Sequence, residues 1–259
     1  MVFAEFRYKL GKVERGYSNR TLYVDLSRMQ VAEKPVSERM KETFTGGRGF
    51  DLWLLWNALP RDRIVKWDEQ ENEVCIACGP LGGTPVYPGS GKSIAVSVSP
   101  LTGSVVDSNV GGYFGPYLKF AGWDALEIQG KAKDEVVIFI DGDEGKVLVE
   151  EAASLPSETH LLVDLLAKKY GGESGQSVSV VSSGPGAEHT LFGCLNFSWY
   201  DAGRKIHRYK QAGRGGIGTV LRDKRVKAIV VKYSGRISVE SNGPFDAELV
   251  KQVGVWHSQ

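Results

Sequence analysis

A chain of 259 residues is long enough to bury a large core, as one domain or two small ones. Its 42% hydrophobic and 24% charged residues are ordinary for a soluble globular protein, and a net charge of +1 creates no global field that would draw nucleic acid or a membrane surface. No apolar run approaches the ~18 residues of a spanning helix, and the N-terminus has no apolar signal core, so a soluble, cytoplasmic protein is expected.

Alternation of Leu22, Val24 and Leu26 predicts a strand over residues 21–26. Residues 37–44 read as a short helix stopped by Gly46 and Gly47. Residues 49–59 read as a second helix, apolar nearly all round through Leu52, Trp53, Leu54, Leu55 and Trp56, hence expected to be buried, and ended by Pro60. Residues 74–79 form a short buried strand, and Ile94, Val96 and Val98 mark another over 93–98. Strands follow over 124–129 and 136–141, the latter closing a hairpin with 146–150. Leu161, Leu162, Leu165 and Leu166 give residues 158–170 a helical pattern that ends at Gly171 and Gly172. Residues 178–182, 190–196 and 227–232 complete the strands. Strands dominate, so the class is α+β with antiparallel or mixed sheets and a few short helices.

Cys75, Cys78 and Cys194 fit a reducing compartment better than a disulfide framework. Cys75 and Cys78 form a lone C-x-x-C, but residues three apart on a strand point to opposite faces, which favours two small buried residues over a redox or metal pair.

Charge is uneven. Residues 133–164 hold nine acids and two bases, a solvated acidic face; residues 204–232 hold ten Lys or Arg and one acid, Asp223. The basic segment also contains glycines, and a phosphate-bearing ligand needs both cationic side chains and accessible backbone N–H groups. Non-specific nucleic-acid binding competes with that reading, but no aromatic platform or named motif accompanies the charge.

The densest feature is a series of glycine loops: Gly79-Pro80-Leu81-Gly82-Gly83-Thr84, Pro88-Gly89-Ser90-Gly91-Lys92-Ser93, Ser99-Pro100-Leu101-Thr102-Gly103, Ser108-Asn109-Val110-Gly111-Gly112-Tyr113-Phe114-Gly115 and Leu118-Lys119-Phe120-Ala121-Gly122-Trp123-Asp124. Gly91-Lys92-Ser93 is no P-loop: the required glycine five positions earlier is Val86, and Ser93 opens a strand rather than a helix. Tight turns account for each glycine pair alone. Their concentration points to a bulky flat ligand approaching the backbone, with Lys92 within reach of an anionic oxygen.

These motifs, in this order, resemble the N-terminal domain of aldehyde:ferredoxin oxidoreductases. Gly46-Gly47-Arg48-Gly49 looks like that domain's early glycine–arginine turn, and Ala125 to Lys131 continue the likeness through Glu127, Gly130 and Lys131. Gly184-Pro185-Gly186-Ala187-Glu188 is similar to the family's G-P-A-G-E with Gly and Ala exchanged, and Ala212-Gly213-Arg214-Gly215-Gly216-Ile217-Gly218 with Lys227-Ala228-Ile229 resembles its closing signature. The likeness covers about residues 18–235. It divides the chain into an N-terminal extension (1–17), a pterin-binding domain (18–240) and the start of a following helical segment (241–259) whose first helix begins near Pro244.

The resemblance implies two β-sheets forming a base for a bis-pterin that holds tungsten, or molybdenum, with Mg2+ bridging the pterin phosphates. Asn109 and Gln211 match the residues whose backbone carbonyls bind that magnesium, a chemically sound set for a hard dication. Lys92, Gly111, Gly112, Lys210, Ala212, Gly213, Arg214 and Gly215 match the cofactor-binding positions together with those two. Lys92 replaces a family arginine, keeping the charge but losing the bidentate fork. His207, in the basic segment, is either a pterin neighbour or a plain surface histidine, and Glu188 reads as structural. No catalytic residue is assigned.

A 4Fe–4S cluster needs four thiolates, and this chain has three cysteines in no cluster spacing. The cluster is therefore expected in a partner or a further C-terminal part. With it, the assembly would convert aldehydes to carboxylic acids and pass electrons to ferredoxin; the chain alone would be inactive. The alternative is a non-catalytic scaffold or pterin-binding subunit of a larger electron-transfer complex. Both readings expect a protein partner, and neither expects nucleic acid or membrane.

Overall fold

The computed structural model describes residues 1–259. In chain order the elements are β1 (Val2–Arg7), β2 (Arg20–Asp25), β3 (Gln30–Pro35), α1 (Glu38–Phe44), α2 (Arg48–Ala58), β4 (Val74–Ala77), β5 (Ser93–Val98), β6 (Val105–Val110) and α3 (Phe114–Phe120). They continue as β7 (Ala125–Gln129), β8 (Val136–Asp141), β9 (Lys146–Glu151), α4 (Thr159–Gly171), β10 (Val178–Ser182), β11 (Leu195–Asp201), β12 (Ile206–Ala212), α5 (Ile217–Asp223), β13 (Val226–Lys232) and α6 (Ala247–Ser258).

Two mixed sheets carry the fold, as the α+β reading expects. One has seven strands in the order β1-β9-β8-β13-β10-β11-β12, the other six in the order β3-β2-β7-β4-β5-β6. Each contains one parallel pair, β8 with β13 and β2 with β7. Strand alternation decides the layers. Leu22, Val24, Ile76, Leu126 and Ile128 of one sheet and Ile138, Ile140, Val149, Ile229 and Val231 of the other share a 29-residue core. Their neighbours point the opposite way. Val137, Phe139, Ala228 and Val230 pack under α4 through Leu162, Val163 and Leu166, and Cys75, Ala77, Val96 and Ala125 pack under α1 and α2 through Met40, Phe50, Leu54 and Leu55. Fully burying a side chain of this kind is worth about 1.5–3 kcal/mol, so each face of each sheet is committed by its alternation.

Three expectations need correction. The second helix is not buried all round: Phe50, Asp51, Leu54 and Leu55 face the sheet, but Leu52 is 37% and Trp56 63% exposed. Residues 190–196 do not form a strand; pairing starts at Leu195, because Gly193 is held instead by the start of α5, its N–H on Thr219 Oγ1 at 3.0 Å and its carbonyl on Gly218 N at 3.0 Å. Four strands escape the pattern altogether, namely β1, β3, β6 and β12. They are the four edges of the two sheets. An edge strand packs against one neighbour and keeps polar residues facing water, so its apolar alternation is weak. β1, within the segment read as an N-terminal extension, pairs along β9 from Val2 to Arg7.

Candidate functional site

The free edges of the two sheets meet. β6 closes the six-stranded sheet, β12 closes the seven-stranded sheet, and the two strands lie against each other without forming a ladder. An edge strand leaves part of its backbone N–H and C=O groups unpaired. The seam is pinned by two bonds: Arg214 N donates to Ser108 Oγ at 3.1 Å, and Ser99 Oγ donates to the Gly215 carbonyl at 2.7 Å.

Every residue expected at the cofactor falls on this seam or its rim. Asn109 is exposed on β6, and Gly111 and Gly112 leave its end. Lys210, Gln211 and Ala212 end β12, and Gly213, Arg214 and Gly215 follow. Lys92 enters β5 beside β6 and reaches Asn109 Oδ1 at 3.4 Å. Gln211 is fixed by its neighbour strand, its Nε2 donating to Asn196 Oδ1 at 2.8 Å. Ala212 is fully buried and offers backbone only.

Glycine is required here by close approach. A Cβ on Gly91 would stand 2.5 Å from the Gly112 carbonyl, so the loop bearing Lys92 packs directly on the loop leaving β6. Gly215, at φ +71°, would drive a Cβ to 2.5 Å from Val106 on β6.

The charge is one-sided. Arg48, Lys92, Lys210 and Arg214 are exposed, and of these only Arg48 has an ion-pair partner, Asp107 Oδ2 at 2.8 Å. Trp199 supplies an apolar wall, with Arg208 at 5.5 Å and Lys210 at 5.9 Å from its ring centre and Tyr113 edge-on at 5.9 Å. The arrangement suits a flat anionic ligand with phosphate groups: four cations, edge carbonyls and an indole face. Asn109 and Gln211 bring their backbones to the facing edges, where a hard dication would find carbonyl oxygen.

A buried lysine on α3 organises the first glycine loop. Lys119 Nζ donates to the carbonyls of Gly79, Pro80 and Gly82 at 2.8–2.9 Å and to Asn242 Oδ1 at 3.2 Å. Burial lowers its pKa. The Asn242 amide returns a bond to Gly82 O at 3.1 Å and another to Thr84 Oγ1 at 2.9 Å.

A model of the aldehyde ferredoxin oxidoreductase N-terminal domain matches residues 21–233. The chain belongs to that family. It is 34% identical over 230 residues to a tungsten-containing aldehyde ferredoxin oxidoreductase of Pyrococcus horikoshii, covering 89% of this chain and 35% of that protein. It is 32% identical over 234 residues to the WOR-like subunit of an aliphatic sulfonate oxidoreductase of Pyrococcus furiosus, covering 85% of this chain and 35% of that one. Among solved structures, the active site complex BamBC of benzoyl coenzyme A reductase, in complex with 1,5-dienoyl-CoA, superposes with a TM-score of 0.74 at 27% identity, over 90% of this chain and 32% of that chain. The chain thus spans about a third of the length of the relatives it matches.

Within this family domain two of the three cysteines, Cys75 and Cys78, are buried. Cys75 is buried on β4 under α2, its thiol pushed well up by burial. Cys78 donates from Sγ to the Gly115 carbonyl at 3.3 Å, and its thiol is also raised by burial. No group of three His, Cys, Asp or Glu side chains is arranged to hold a metal. His207 lies on β12 but packs between Gly175 and Tyr200, a ring contact of 5.4 Å, and burial lowers its pKa. Glu188 pairs with Arg222 Nε at 2.5 Å, a structural contact.

Sequence reasoning leaves four contributors unassigned, three at the seam and one in the first glycine loop. Arg48 was visible in its glycine turn, but its place opposite Asp107 depends on α2 crossing the sheet. Trp199 and Arg208 sit on the β11–β12 hairpin, which carries no motif. Lys119 was visible inside a motif, yet nothing in its spacing announces a buried ammonium. No helix of the chain is long and apolar enough to cross a membrane.

Proposed function

We propose that the β6–β12 seam is the bed of a tungsten or molybdenum bis-pterin cofactor, and that this chain is the cofactor-binding component of an oxidoreductase converting aldehydes to carboxylic acids. The observation that carries the reading is the convergence of Lys92, Asn109, Lys210, Gln211 and Arg214, from five separate sequence positions, on one exposed seam in a domain of this family. When bound, the metal–pterin group would supply the redox chemistry. The chain's own residues bind and orient: Arg48, Lys92, Lys210 and Arg214 neutralise phosphate oxygens, and the backbone carbonyls of Asn109 and Gln211 hold Mg2+. Trp199 and the glycine loops bound the flat ligand and exclude water from one side.

The 4Fe–4S cluster and proton-handling groups belong, on this reading, to a partner or a further part of the protein, and electrons leave to ferredoxin. A second reading is favoured by two of the relatives, which are named as a subunit and as part of a complex. There the chain is a non-catalytic scaffold or pterin-binding subunit of a larger electron-transfer assembly. Anaerobic purification with whatever co-purifies, followed by elemental analysis and pterin fluorescence after oxidation, tests both. About one tungsten or molybdenum per assembly supports the first; pterin without activity supports the second; neither metal nor pterin overturns the bed itself.

A further inference from the structure

His207 differs from the other three histidines. His160, His189 and His257 are exposed, whereas both ring nitrogens of His207 are shut off from water and have no hydrogen-bond partner. A neutral imidazole carries one donor and one acceptor, and here nothing answers either. Two elements close the ring in. Tyr200, its cross-strand partner on β11, meets it edge-on at 5.4 Å. The loop between α4 and β10 lies against it as well. A Cβ on Gly175 would stand 2.7 Å from His207 Nε2 and 3.0 Å from Ala167 Cβ, so bare backbone is laid on the ring. Gly172 at φ +69° and Gly175 at φ +60° give that loop the positive φ its turn needs.

Apart from Gly175, this loop is a surface segment: Gly172, Glu173, Ser174 and Gln176 are exposed. Gly175 N donates to Gly172 O at 3.1 Å and Val178 N to Gly175 O at 3.3 Å, both within the turn. From outside it, Tyr117 Oη donates to Gln176 O at 3.2 Å and Tyr233 N to Ser177 O at 2.9 Å. A segment with so little buried surface opens locally at a fraction of the global stability. The Tyr117 bond also links the loop to the seam. Tyr117 lies 5.7 Å from Tyr113, and Tyr113 stands edge-on, at 5.9 Å, to Trp199, the indole that walls the seam.

We propose that His207 is a pH latch, which on taking a proton from solvent lifts the 172–177 loop off the β11–β12 hairpin and releases the Tyr117 hydroxyl held by that loop. A cationic ring is a donor at both nitrogens. In the closed site neither finds an acceptor, so the charge is tolerated only where water reaches the ring. The charged and titratable groups around it share one groove of about 460 Å³. Asp164, Lys168 and His160 face it from α4, and Glu173 from the loop. Tyr200 comes from β11, and Lys205 and Tyr209 from its own hairpin. Burial outweighs the one favourable charge, Asp164, and holds the His207 pKa below its ordinary value. The ring is therefore less basic closed than open. The closed loop is fully favoured above the open-state value of about 6.5 and is lost as pH falls from there through the lower, closed-state value. The latch does not rest on the pterin reading.

Amide hydrogen exchange of the whole chain at about pH 7.5 and pH 5.5, corrected for the intrinsic pH dependence of exchange, reads the loop directly. In the parent, residues 172–177 should lose about fivefold to tenfold in protection over that interval, the effect of one proton taken up by an open-state imidazole. Strands β8 and β13 should keep theirs. His207→Phe and His207→Asn, one larger and one smaller and both neutral, should hold the loop's protection constant within about twofold. Asp124 titrates in the same interval but is common to all three proteins, so it drops out of the comparison. The imidazole C2–H resonance missing from both variants should titrate below the ordinary histidine value of about 6.5. Three results overturn the latch: a parent loop whose protection does not fall, an equal fall in both variants, or a His207 resonance that titrates at or above about 6.5. None of these outcomes depends on tungsten, pterin or a partner.

Discussion

The backbone N–H of Arg214 donates to the Ser108 hydroxyl at 3.1 Å, and this bond joins two sheets at their free edges. Ser108→Ala leaves that N–H without its partner in a part-buried seam. A loss of about 1–2 kcal/mol is expected in urea unfolding. Because the seam also sets the spacing of Asn109 and Gln211, pterin content of the anaerobically isolated assembly should fall as well. Unchanged stability and unchanged pterin together would show that the bond does not hold the seam.

Lys210 and Arg214 are exposed and make no ion pair, so they contribute little to folding. Lys210→Ala and Arg214→Ala should each change stability by less than about 0.5 kcal/mol. Each should nonetheless weaken retention of a phosphate-bearing cofactor by about tenfold, read as metal and pterin per assembly after extensive dialysis. Equal retention in both variants would place the ligand elsewhere.

Lys119 holds three carbonyls of the first glycine loop. Lys119→Met keeps the stem but strips those carbonyls and Asn242 of their donor. Destabilisation of about 3 kcal/mol or more is expected, from several buried acceptors left unpaired at once. Hydrogen exchange should show new opening of residues near Gly79 and Thr84 while strands such as β8 and β13 stay protected. Uniform loss of protection would mean that the lysine supports the whole core rather than one loop.

Glu73 titrates near 8 in the folded chain against about 4.3 unfolded. Between those values the folded state binds the extra proton, so this group's contribution is fully present below about pH 4 and is lost as pH rises through 8. Asp124, raised to about 6 chiefly by burial, acts with the same sign over a lower window, from about 4 to 6. Lys224, lowered to about 8 by burial, acts oppositely and only above pH 8. Glu73→Gln stays neutral throughout. Relative to the parent it should gain stability between pH 5 and 8, at up to about 1.4 kcal/mol per pH unit for one proton. Urea midpoints measured across that range check it; parallel curves for the two proteins would show that Glu73 is already ionised at pH 5.

The central strands were legible because burial on both faces leaves an apolar record. Residues 136–141 are wholly buried, and their apolar run marks them as a strand in the sequence. Edge strands leave no such record. β12 reads Ile206 to Ala212 with only Ala212 buried, and β6 keeps Asn109 and Val105 exposed. The candidate site lies on two of the strands that pattern reading misses, for one reason: a surface that receives a ligand cannot be apolar and buried in the free chain.

Apolar alternation therefore determined the α+β class, and motif order and glycine placement the family and the list of residues expected at a cofactor. Those are local facts, recorded wherever a backbone must turn tightly or pass close to another. Only the tertiary structure decided that β6 and β12 meet, that Lys119 lies buried against the first glycine loop, and that Glu73 and Glu127 share a face. These depend on strand order and register between segments far apart in the chain, which no local spacing encodes.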